Sequence, residues 1–267
     1  MKVSGKTLVV TGGGNGIGRA VVLNLLKSGA KVAAIDLSAE GLAETASLAT
    51  SDRLSTHQVN IADLEQVVEA KAAINGVHGM VDGIINVAGI IQPFVRVNDL
   101  TYDQVRKVMD VNFYGLLYVT KTFLPELIAR PEAHIANVSS MGGFVPVPGQ
   151  TIYGASKAAV KLLTEGLHSE LQNTNVSVTT IFPGAISTNI ALNSGIMTEE
   201  QMKQMGSGPQ RKTETAEVAA QMIVDGIENK RFHVVIGQDA KAMYWLSRFM
   251  PERAANLIYK NMKDLLG

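Results

Sequence analysis

Short β-branched apolar runs alternate with longer segments of helical periodicity along the 267-residue chain, and this alternation restricts the folds open to it. Seven runs have the character of strands: Thr7–Val10, Val32–Ile35, Leu54–Val59, Gly83–Val87, His134–Val138, Val176–Phe182 and His233–Ile236. Six intervening segments have helical spacing: Ile17–Leu26, Leu42–Ala49, Leu64–Ile74, Tyr102–Ala129, Tyr153–Leu171 and Ala216–Ile227. Helical crossovers produce a parallel sheet covered on both faces. The sequence therefore predicts an α/β fold with a doubly wound parallel sheet of about seven strands.

Two segments lie outside this alternation. Residues 187–214 lack clear periodicity, and a loop of that length inside a compact domain usually has a function. Its apolar residues are Ile190, Leu192, Ile196, Met197, Met202 and Met205. We expect this segment to form a lid over a substrate. Residues 239–267 are predicted to be helical around a break at Pro251, packing over the substrate pocket or a neighbouring subunit, with an interfacial membrane helix as the alternative.

Composition excludes several classes of function. Lys and Arg number 24 and so do Asp and Glu, which leaves no basic excess for binding nucleic acid. The chain has no cysteine, so disulfides, thiolate metal sites and a cysteine nucleophile are excluded, and the five histidines lack metal-ligand spacing. No signal-peptide or membrane-span pattern interrupts the chain. With no linker or repeat either, residues 1–267 are predicted to form one cytoplasmic domain without a metal site.

A glycine-rich loop follows the first predicted strand and opens the first helix. Its sequence is Thr11-Gly12-Gly13-Gly14-Asn15-Gly16-Ile17-Gly18. Glycines let the backbone turn tightly and approach a pyrophosphate, while free N–H groups and the helix dipole favour its negative charge. The spacing departs from G-x-G-x-x-G, but the strand before it and the helix after it predict a dinucleotide site.

Two acidic residues follow strands near this loop. Asp36 ends the second predicted strand, where a carboxylate can accept hydrogen bonds from adenine-side ribose hydroxyls and repel a 2′-phosphate. Asn15 and Leu37 offer no basic group to such a phosphate. A helix cap or a solvated turn is the alternative for Asp36. Asp63 follows the third strand, where it either caps the next helix or meets the adenine.

Five ordered motifs together resemble the short-chain dehydrogenase/reductase family. The family pattern T-G-x-x-x-G-x-G is matched by Thr11, Gly12, Gly16 and Gly18, and Y-x-x-x-K by Tyr153 and Lys157. The other three motifs are Asn86-Val87-Ala88-Gly89 for N-N-A-G, Ser140 thirteen positions before Tyr153, and Pro183-Gly184 with Thr188 for P-G-x-x-x-T. In addition, Asn112 stands where the family has its helix asparagine. Val87 departs from the family's second asparagine, and nothing after Thr188 matches a specific motif.

This resemblance implies a Rossmann-type oxidoreductase that uses NAD and acts on a small-molecule alcohol or ketone. It implies catalytic roles for Asn112, Ser140, Tyr153 and Lys157. The implied cofactor-binding residues are Gly12, Asn15, Gly16, Ile17, Gly18, Asp36, Asp63, Asn86, Ala88, Gly89, Tyr153, Lys157, Pro183, Gly184, Ile186 and Thr188. In this family the lysine holds the nicotinamide ribose, the serine binds the substrate oxygen and the asparagine supports a proton relay. The family is also commonly dimeric or tetrameric.

Tyrosine needs activation to act as a base, because its ordinary pKa is about 10. Tyr153 and Lys157 are four residues apart, so on a helix both project from one face. Lowering the tyrosine pKa by about three units requires roughly 4 kcal/mol. A cation about 4 Å away at an effective dielectric of about 20 supplies a comparable energy. We therefore expect Lys157 to provide nearly all of the activation.

The sequence leaves three functions open. The favoured one is an NAD-dependent dehydrogenase of a secondary alcohol, including an apolar, hydroxysteroid-like one. An NADPH-dependent carbonyl or 3-oxoacyl reductase is disfavoured because Asn15 and Leu37 are not basic where a 2′-phosphate would need cations. A non-catalytic dinucleotide sensor would not need a complete set of catalytic side chains, which this chain has.

Overall fold

The computed structural model describes residues 1–188, 190–196 and 213–266. The strands are β1 (Thr7–Thr11), β2 (Lys31–Asp36), β3 (Leu54–Gln58), β4 (Gly83–Asn86), β5 (Ala133–Val138), β6 (Val176–Pro183), β7 (Ile186–Ser187), β8 (Glu214–Thr215) and β9 (His233–Ile236). The helices are α1 (Gly16–Lys27), α2 (Ala39–Ala49), α3 (Leu64–His78), α4 (Tyr102–Met109), α5 (Leu116–Ala129), α6 (Thr151–Glu170), α7 (Ile190–Asn193), α8 (Ala216–Glu228), α9 (Gln238–Phe249) and α10 (Pro251–Met262).

One seven-stranded parallel sheet organises these elements, in the order β3-β2-β1-β4-β5-β6-β9. The chain moves outward from β1 to β3 and then crosses back to place β4 on the other side of β1. The strand order therefore reverses between β1 and β4, where Thr11 is the register partner of Asn86. Ligands of doubly wound sheets bind at this kind of switch point, beyond the carboxyl ends of the strands. The Rossmann-type α/β fold predicted from the sequence is confirmed.

Helices cover both faces of the sheet and bury two apolar layers. Successive side chains of a strand point to opposite faces, so Val10 packs with α1 and α8 while Val9 packs with α3, α5 and α6. The first layer includes Leu25 and Ile223, and the second includes Phe123. All of these side chains are fully buried. Strands β1, β4 and β5 are buried on both faces, which explains their apolar runs, whereas the edge strand β3 is partly exposed.

The long helix predicted over Tyr102–Ala129 differs from a regular helix in its middle. A π-helical turn over Asp110–Gly115 separates α4 from α5. Such wider turns occur mostly as single insertions at functional sites. Here the turn contains Asn112, whose fully buried side chain bonds to the loop after β4 and to α6. The sequence offers no periodicity signal for this turn, because it depends on those tertiary bonds.

The segment predicted as a lid has short paired strands near its two ends. Ile186 pairs with Glu214 and Ser187 with Thr215, and α7 follows the first of these strands. Residue 189 and residues 197–212 lie outside the described residues, and with them Met197, Met202 and Met205 of the predicted lid. The closing motion of a lid stays a prediction.

The C-terminal part forms two helices that meet at Pro251, as the sequence predicts. Met243 of α9 and Ile258 of α10 pack against Val145, and the partly buried Phe144 and Val147 join this cluster. The C-terminal helices therefore cover the loop between β5 and α6. None of the helices in the described ranges is long and apolar enough to cross a membrane.

Candidate active site

The glycine-rich loop is shaped by close backbone contacts that exclude side chains. Gly12 has φ of +72°, and a Cβ built on it would lie 2.9 Å from the backbone nitrogen of Ala88. Gly16 also has positive φ, at +51°, and a Cβ on Gly18 would overlap the carbonyl oxygen of Gly12. Each motif glycine thus occupies a position where Cβ is strained or does not fit. The loop crosses the end of β1 directly beside the turn after β4.

The N-terminus of α1 presents unbonded donors to this loop. Asn15 caps the helix by accepting a hydrogen bond from Gly16 N at 2.7 Å. Within the described residues, the N–H groups of Ile17 and Gly18 donate to no acceptor. Two free N–H groups at a helix N-terminus, beside a backbone that lacks side chains, fit the pyrophosphate of a dinucleotide.

Asp36 lies at the end of β2 against the same loop. Its Oδ2 accepts from Gly14 N at 2.9 Å, and its Oδ1 accepts from Ser38 N at 2.9 Å. The carboxylate therefore forms the turn that sequence analysis named as an alternative, and its remaining lone pairs leave room for further donors. Leu37 beside it is 66% exposed and apolar. A preference for a ribose over a ribose 2′-phosphate at this position stays a prediction.

Arg19 is a cation near this loop that the sequence analysis did not weigh. Its guanidinium donates to the carbonyl oxygen of Gly14 and pairs with Glu44 Oε2 at 2.6 Å. Its Nε also donates to Thr45 Oγ1 at 3.0 Å. These bonds occupy Nε and Nη2, so Arg19 holds the loop in place, and Glu44 balances part of its charge.

Asp63 and Asn86 are both held by contacts within the chain. Asp63 caps α3, since its Oδ1 accepts from Glu65 N and Gln66 N, which confirms the cap alternative. Asn86 donates through Nδ2 to Asn137 Oδ1 at 2.8 Å, inside the sheet. Contact of either residue with a cofactor stays a prediction.

Thr11 fixes the turn that follows β4. Its Oγ1 accepts from Val87 N at 3.1 Å and from Ala88 N at 3.2 Å. Val87, which departs from the family motif, packs its side chain against the apolar layer beside α1. Valine in place of the family's second asparagine therefore adds an apolar contact at the sheet, while Thr11 still holds the backbone of the turn.

Tyr153 and Ser140 meet in the crevice beyond β5. Ser140 follows β5 and accepts from Gly142 N at 3.0 Å, while Tyr153 lies in the first turn of α6. Both side chains lie beside Gly142, where a built Cβ would be 3.4 Å from Tyr153 Cε1 and 3.5 Å from Ser140 Oγ. Burial raises the pKa of Tyr153 above its usual value, and the Ser140 hydroxyl offsets part of that increase. The two predicted catalytic hydroxyls thus lie together.

Lys157 lies one turn further along α6 and is 3% exposed. Its Nζ donates to the carbonyl oxygen of Val138 at 2.9 Å and lies 6.0 Å from the centre of the Tyr153 ring. Burial lowers the pKa of the ammonium to about 8. The expectation that Lys157 nearly suffices to activate Tyr153 is wrong for this geometry, because burial of the phenol dominates and leaves its pKa raised.

Asn112 and Lys157 approach each other at Gly89. A Cβ built on Gly89 would lie 3.1 Å from Lys157 Nζ and 3.2 Å from Asn112 Oδ1. The Asn112 side chain bonds to both backbone polar groups of Ile90 and donates to Ser156 Oγ at 2.9 Å. These bonds are those of a buried structural asparagine, and its role in a proton relay stays a prediction.

The segment after β6 returns to the glycine-rich loop. Pro183 ends β6, and Ala185 N donates to Asp239 Oδ2 at 2.8 Å, which leaves no space for a Cβ on Gly184. Ile186 lies in β7, and the Thr188 side chain lies beside Gly16. The structure thus brings both ends of the predicted cofactor site together.

Three buried residues of this region were missed by sequence analysis. Ser139 donates through its hydroxyl to the carbonyl oxygen of Lys157 at 2.7 Å, and Ser156 receives the Asn112 bond. Gln92 bonds to the start of α6. No sequence pattern marks them, because each acts through contacts between distant segments.

Comparison with known proteins agrees with this geometry. Residues 6–198 match the short chain dehydrogenase family. The chain belongs to the short-chain dehydrogenase/reductase family. A Mycobacterium tuberculosis relative named "Putative oxidoreductase SadH" is 35% identical over 260 residues, covering 95% of this chain and 94% of the relative.

Two solved structures of this family have the same fold at 25% identity. One, from Burkholderia phymatum in complex with NAD, has a TM-score of 0.86 and covers 96% of this chain and 97% of its own. The other, from Burkholderia cenocepacia in complex with NADP, has a TM-score of 0.80 and covers 97% of this chain and 99% of its own. The comparisons support a nicotinamide dinucleotide cofactor without distinguishing its two forms.

Proposed function

We propose that this short-chain dehydrogenase/reductase interconverts a secondary alcohol and its ketone with NAD. The observation that carries the proposal is the placement of Tyr153 and Ser140 side by side at Gly142, with the buried Lys157 ammonium one turn further along α6. A non-catalytic sensor would have no need of two hydroxyls and a buried amine in one place.

The residues divide the chemistry of alcohol oxidation between them. Tyr153, as phenolate, accepts the hydroxyl proton of the alcohol while hydride leaves the same carbon. Ser140 donates to the substrate oxygen and keeps it within reach of Tyr153. Oxidised nicotinamide dinucleotide, when bound, supplies the hydride acceptor and a positive charge. Lys157 would hold the nicotinamide-side ribose and, in reduction, support return of the proton to the ketone.

Burial of the Tyr153 phenol affects its protonation state, and therefore the direction of the reaction that the site favours. The raised pKa of Tyr153 means that the chain alone keeps this phenol protonated at neutral pH. A protonated tyrosine suits ketone reduction, for which it is the acid. Alcohol oxidation needs additional positive charge at the site, so we propose that it becomes efficient only at alkaline pH.

Asp36 favours NAD in this proposal. Its carboxylate faces the loop, with an apolar neighbour at Leu37, and the guanidinium of Arg19 is paired with Glu44. An NADPH-dependent reductase is the second candidate, and the relative solved with NADP keeps it open. A 2′-phosphate placed beside an unneutralised carboxylate costs several kcal/mol.

The surroundings of the site favour an apolar substrate. Phe144, Val145 and Val147 line the loop after Ser140 and pack against the C-terminal helices. A Cβ on Gly149 would lie 3.3 Å from the Leu266 side chain, so the C-terminus reaches this loop. We propose that the substrate lies between residues 142–151 and the segment 187–214.

Two further proposals concern the assembled protein. Tyr102 is 79% exposed and Leu162 is 70% exposed, on helices that the family uses for association. A homodimer or homotetramer in the cytoplasm is proposed, with no nucleic acid or membrane partner. Light scattering after size exclusion tests the oligomer, and co-sedimentation with vesicles tests the membrane alternative.

The experiment for the activity is a panel of secondary alcohols and ketones with NAD(H) and NADP(H), followed by absorbance of the reduced nicotinamide. We expect kcat/KM to favour NAD by roughly a hundredfold, which corresponds to about 3 kcal/mol. Asp36→Ala should reduce this ratio, and adding Leu37→Arg should move it towards NADP. Asp52→Ala, an exposed carboxylate, is the control. A wild-type preference for NADP would overturn the role of Asp36.

A further inference from the structure

The first turn of α6 carries Tyr153 and needs acceptors for its N–H groups. Helix N-termini leave such donors without partners inside the helix, and a capping side chain usually accepts from them. Gln150, the residue at the cap position, makes no such bond. The acceptor comes from the loop after β4, where Gln92 Oε1 accepts from Ile152 N at 2.7 Å and from Tyr153 N at 3.0 Å.

The rest of Gln92 is bonded to the same region. Its Nε2 donates to the carbonyl oxygen of Gly149 at 2.9 Å, and its own carbonyl oxygen accepts from Gln150 Nε2 at 2.7 Å. The residue is only 1% exposed. One buried amide thus accepts from the catalytic turn with its oxygen and donates to the preceding loop with its nitrogen. Ionised aspartate and glutamate lack the donor, and methionine lacks the donor and has only a weak acceptor.

The position of Gln92 in the chain links two parts of the site. It lies three residues after Gly89, and Ile90 between them is fixed by Asn112. The segment Gly89–Gln92 therefore contacts Lys157 and Asn112 at one end and the Tyr153 turn at the other. Displacement of this segment would move the tyrosine relative to the lysine and to Ser140.

We propose that Gln92 is a positioning residue for Tyr153, holding the start of α6 in register with the loop that follows β4. The inference rests on the proposed function, in which Tyr153 exchanges the substrate proton. Its neutral amide also caps the helix without placing a negative charge beside the phenol. A carboxylate at this position would disfavour the phenolate.

Gln92→Met removes both polar functions at similar length. Displacing a reacting group by about 1 Å can cost about a hundredfold in rate, so we expect kcat to fall by roughly 10- to 100-fold. The dissociation constant of NADH, measured by fluorescence, should stay within about twofold, since Gln92 lies outside the phosphate loop. Gln104→Met is the matched control, because in the described part of the chain the Gln104 side chain bonds only to Thr101, in the capping box of α4. Equal kcat in both variants would overturn the proposal.

The pH profile of Gln92→Met provides a test that a merely structural role would not pass. A displaced Tyr153 turn changes the distance of the phenol from the Lys157 ammonium and from Ser140, so the pH at half-maximal kcat for alcohol oxidation should shift although the substitution adds no charge. Gln104→Met should leave that pH unchanged. A lower melting temperature with an unmoved pH profile in Gln92→Met would contradict positioning of Tyr153.

One measurement separates this inference from the proposed activity. The tyrosinate absorbance of the protein minus that of Tyr153→Phe reports the ionisation of Tyr153 without any substrate. If no alcohol or ketone in the panel reacts, the proposed function fails. The Gln92 proposal is then supported by a shifted Tyr153 pKa in Gln92→Met, and is overturned by an unchanged one.

Discussion

Lys157 and Lys161 lie one turn apart on α6 and have opposite surroundings. Lys157 is 3% exposed and donates to a backbone carbonyl oxygen, with no carboxylate paired to it in the described part of the chain. Lys161 pairs with Glu165 at 2.8 Å, and the other oxygen of Glu165 lies 2.9 Å from His233 Nε2. The C-terminal half of α6 pairs its lysine with a carboxylate. The N-terminal half, which carries Tyr153, has a buried ammonium without a counter-charge among the described residues.

This difference shows where the fold accepts a cost in stability. A buried charge without a counter-charge is unfavourable, and the ammonium responds with a pKa lowered to about 8. Natural proteins keep such strained groups where function needs them. The contrast between the two lysines is therefore evidence for function that is independent of the sequence motif.

The largest expected effect comes from removing the phenol at the catalytic end of α6. Tyr153→Phe should lower kcat by about 10²- to 10⁴-fold, because general acid–base catalysis contributes that much. Affinity for NADH should be retained. The matched control is Tyr244→Phe on α9, which loses a hydroxyl bonded to His233 Nδ1 at 2.7 Å. Tyr153→Phe enzyme with half the wild-type turnover would exclude Tyr153 as the proton-transfer residue.

Lys157→Met should inactivate the protein and yet stabilise it at neutral pH. The ammonium has a pKa of about 8 in the fold against an ordinary 10.5. This shift corresponds to a penalty of up to about 3 kcal/mol below pH 8. Leaving the Val138 carbonyl oxygen unbonded costs about 1–3 kcal/mol, so a net gain of about 1 kcal/mol is expected from urea unfolding at pH 7.

The pH dependence gives the sharper form of that prediction. Between pH 8 and 10.5 the unfolded wild-type chain binds more protons at Lys157 than the folded one, so wild-type stability rises with pH. Lys157→Met lacks this titration. Its advantage at pH 7 should therefore shrink or reverse by pH 10. An advantage that stays constant over this range would mean that Lys157 titrates normally in the fold.

Local sequence patterns predict the strands of the sheet more completely than the side-chain contacts of the candidate active site. All seven strands of the main sheet and the glycine-rich loop follow from local patterns, because β-branched runs and glycine spacing act over short distances. Local patterns could not identify Gln92, Ser139 and Ser156, because these side chains bond to residues that lie 18 to 61 positions away along the chain.

The electrostatics of Tyr153 and Lys157 show a second limit. Four-residue spacing correctly placed both on one face of α6, but it could not give the depth of burial. Burial decides the direction of both shifts, raising the pKa of the phenol and lowering that of the ammonium. The π-helical turn at Asp110–Gly115 was missed for a related reason, since the bonds of Asn112 that accompany it reach to other segments.

Lys161→Met should have the smallest effect and complete the comparison. Its pair with Glu165 has the lysine N-terminal to the glutamate and is partly exposed, at 25% for the lysine side chain. Such pairs contribute about 0.3–0.5 kcal/mol, so stability at pH 8 should fall by about that much with kcat unchanged.

The loss of stability in Lys161→Met should become smaller at lower pH, because Lys161 affects the ionisation of His233. Burial lowers the pKa of His233, Glu165 raises it, and the charge of Lys161 is among the groups that lower it. A folded-state pKa below the unfolded value means that the wild type loses stability as pH falls below about 6.5. Removing Lys161 raises the pKa of His233, so the variant should lose less stability between pH 6.5 and 5. Proton NMR titration of His233, together with urea unfolding at pH 8 and pH 5, checks both steps. A loss at pH 5 larger than at pH 8 would show that His233 does not couple to the Lys161–Glu165 pair.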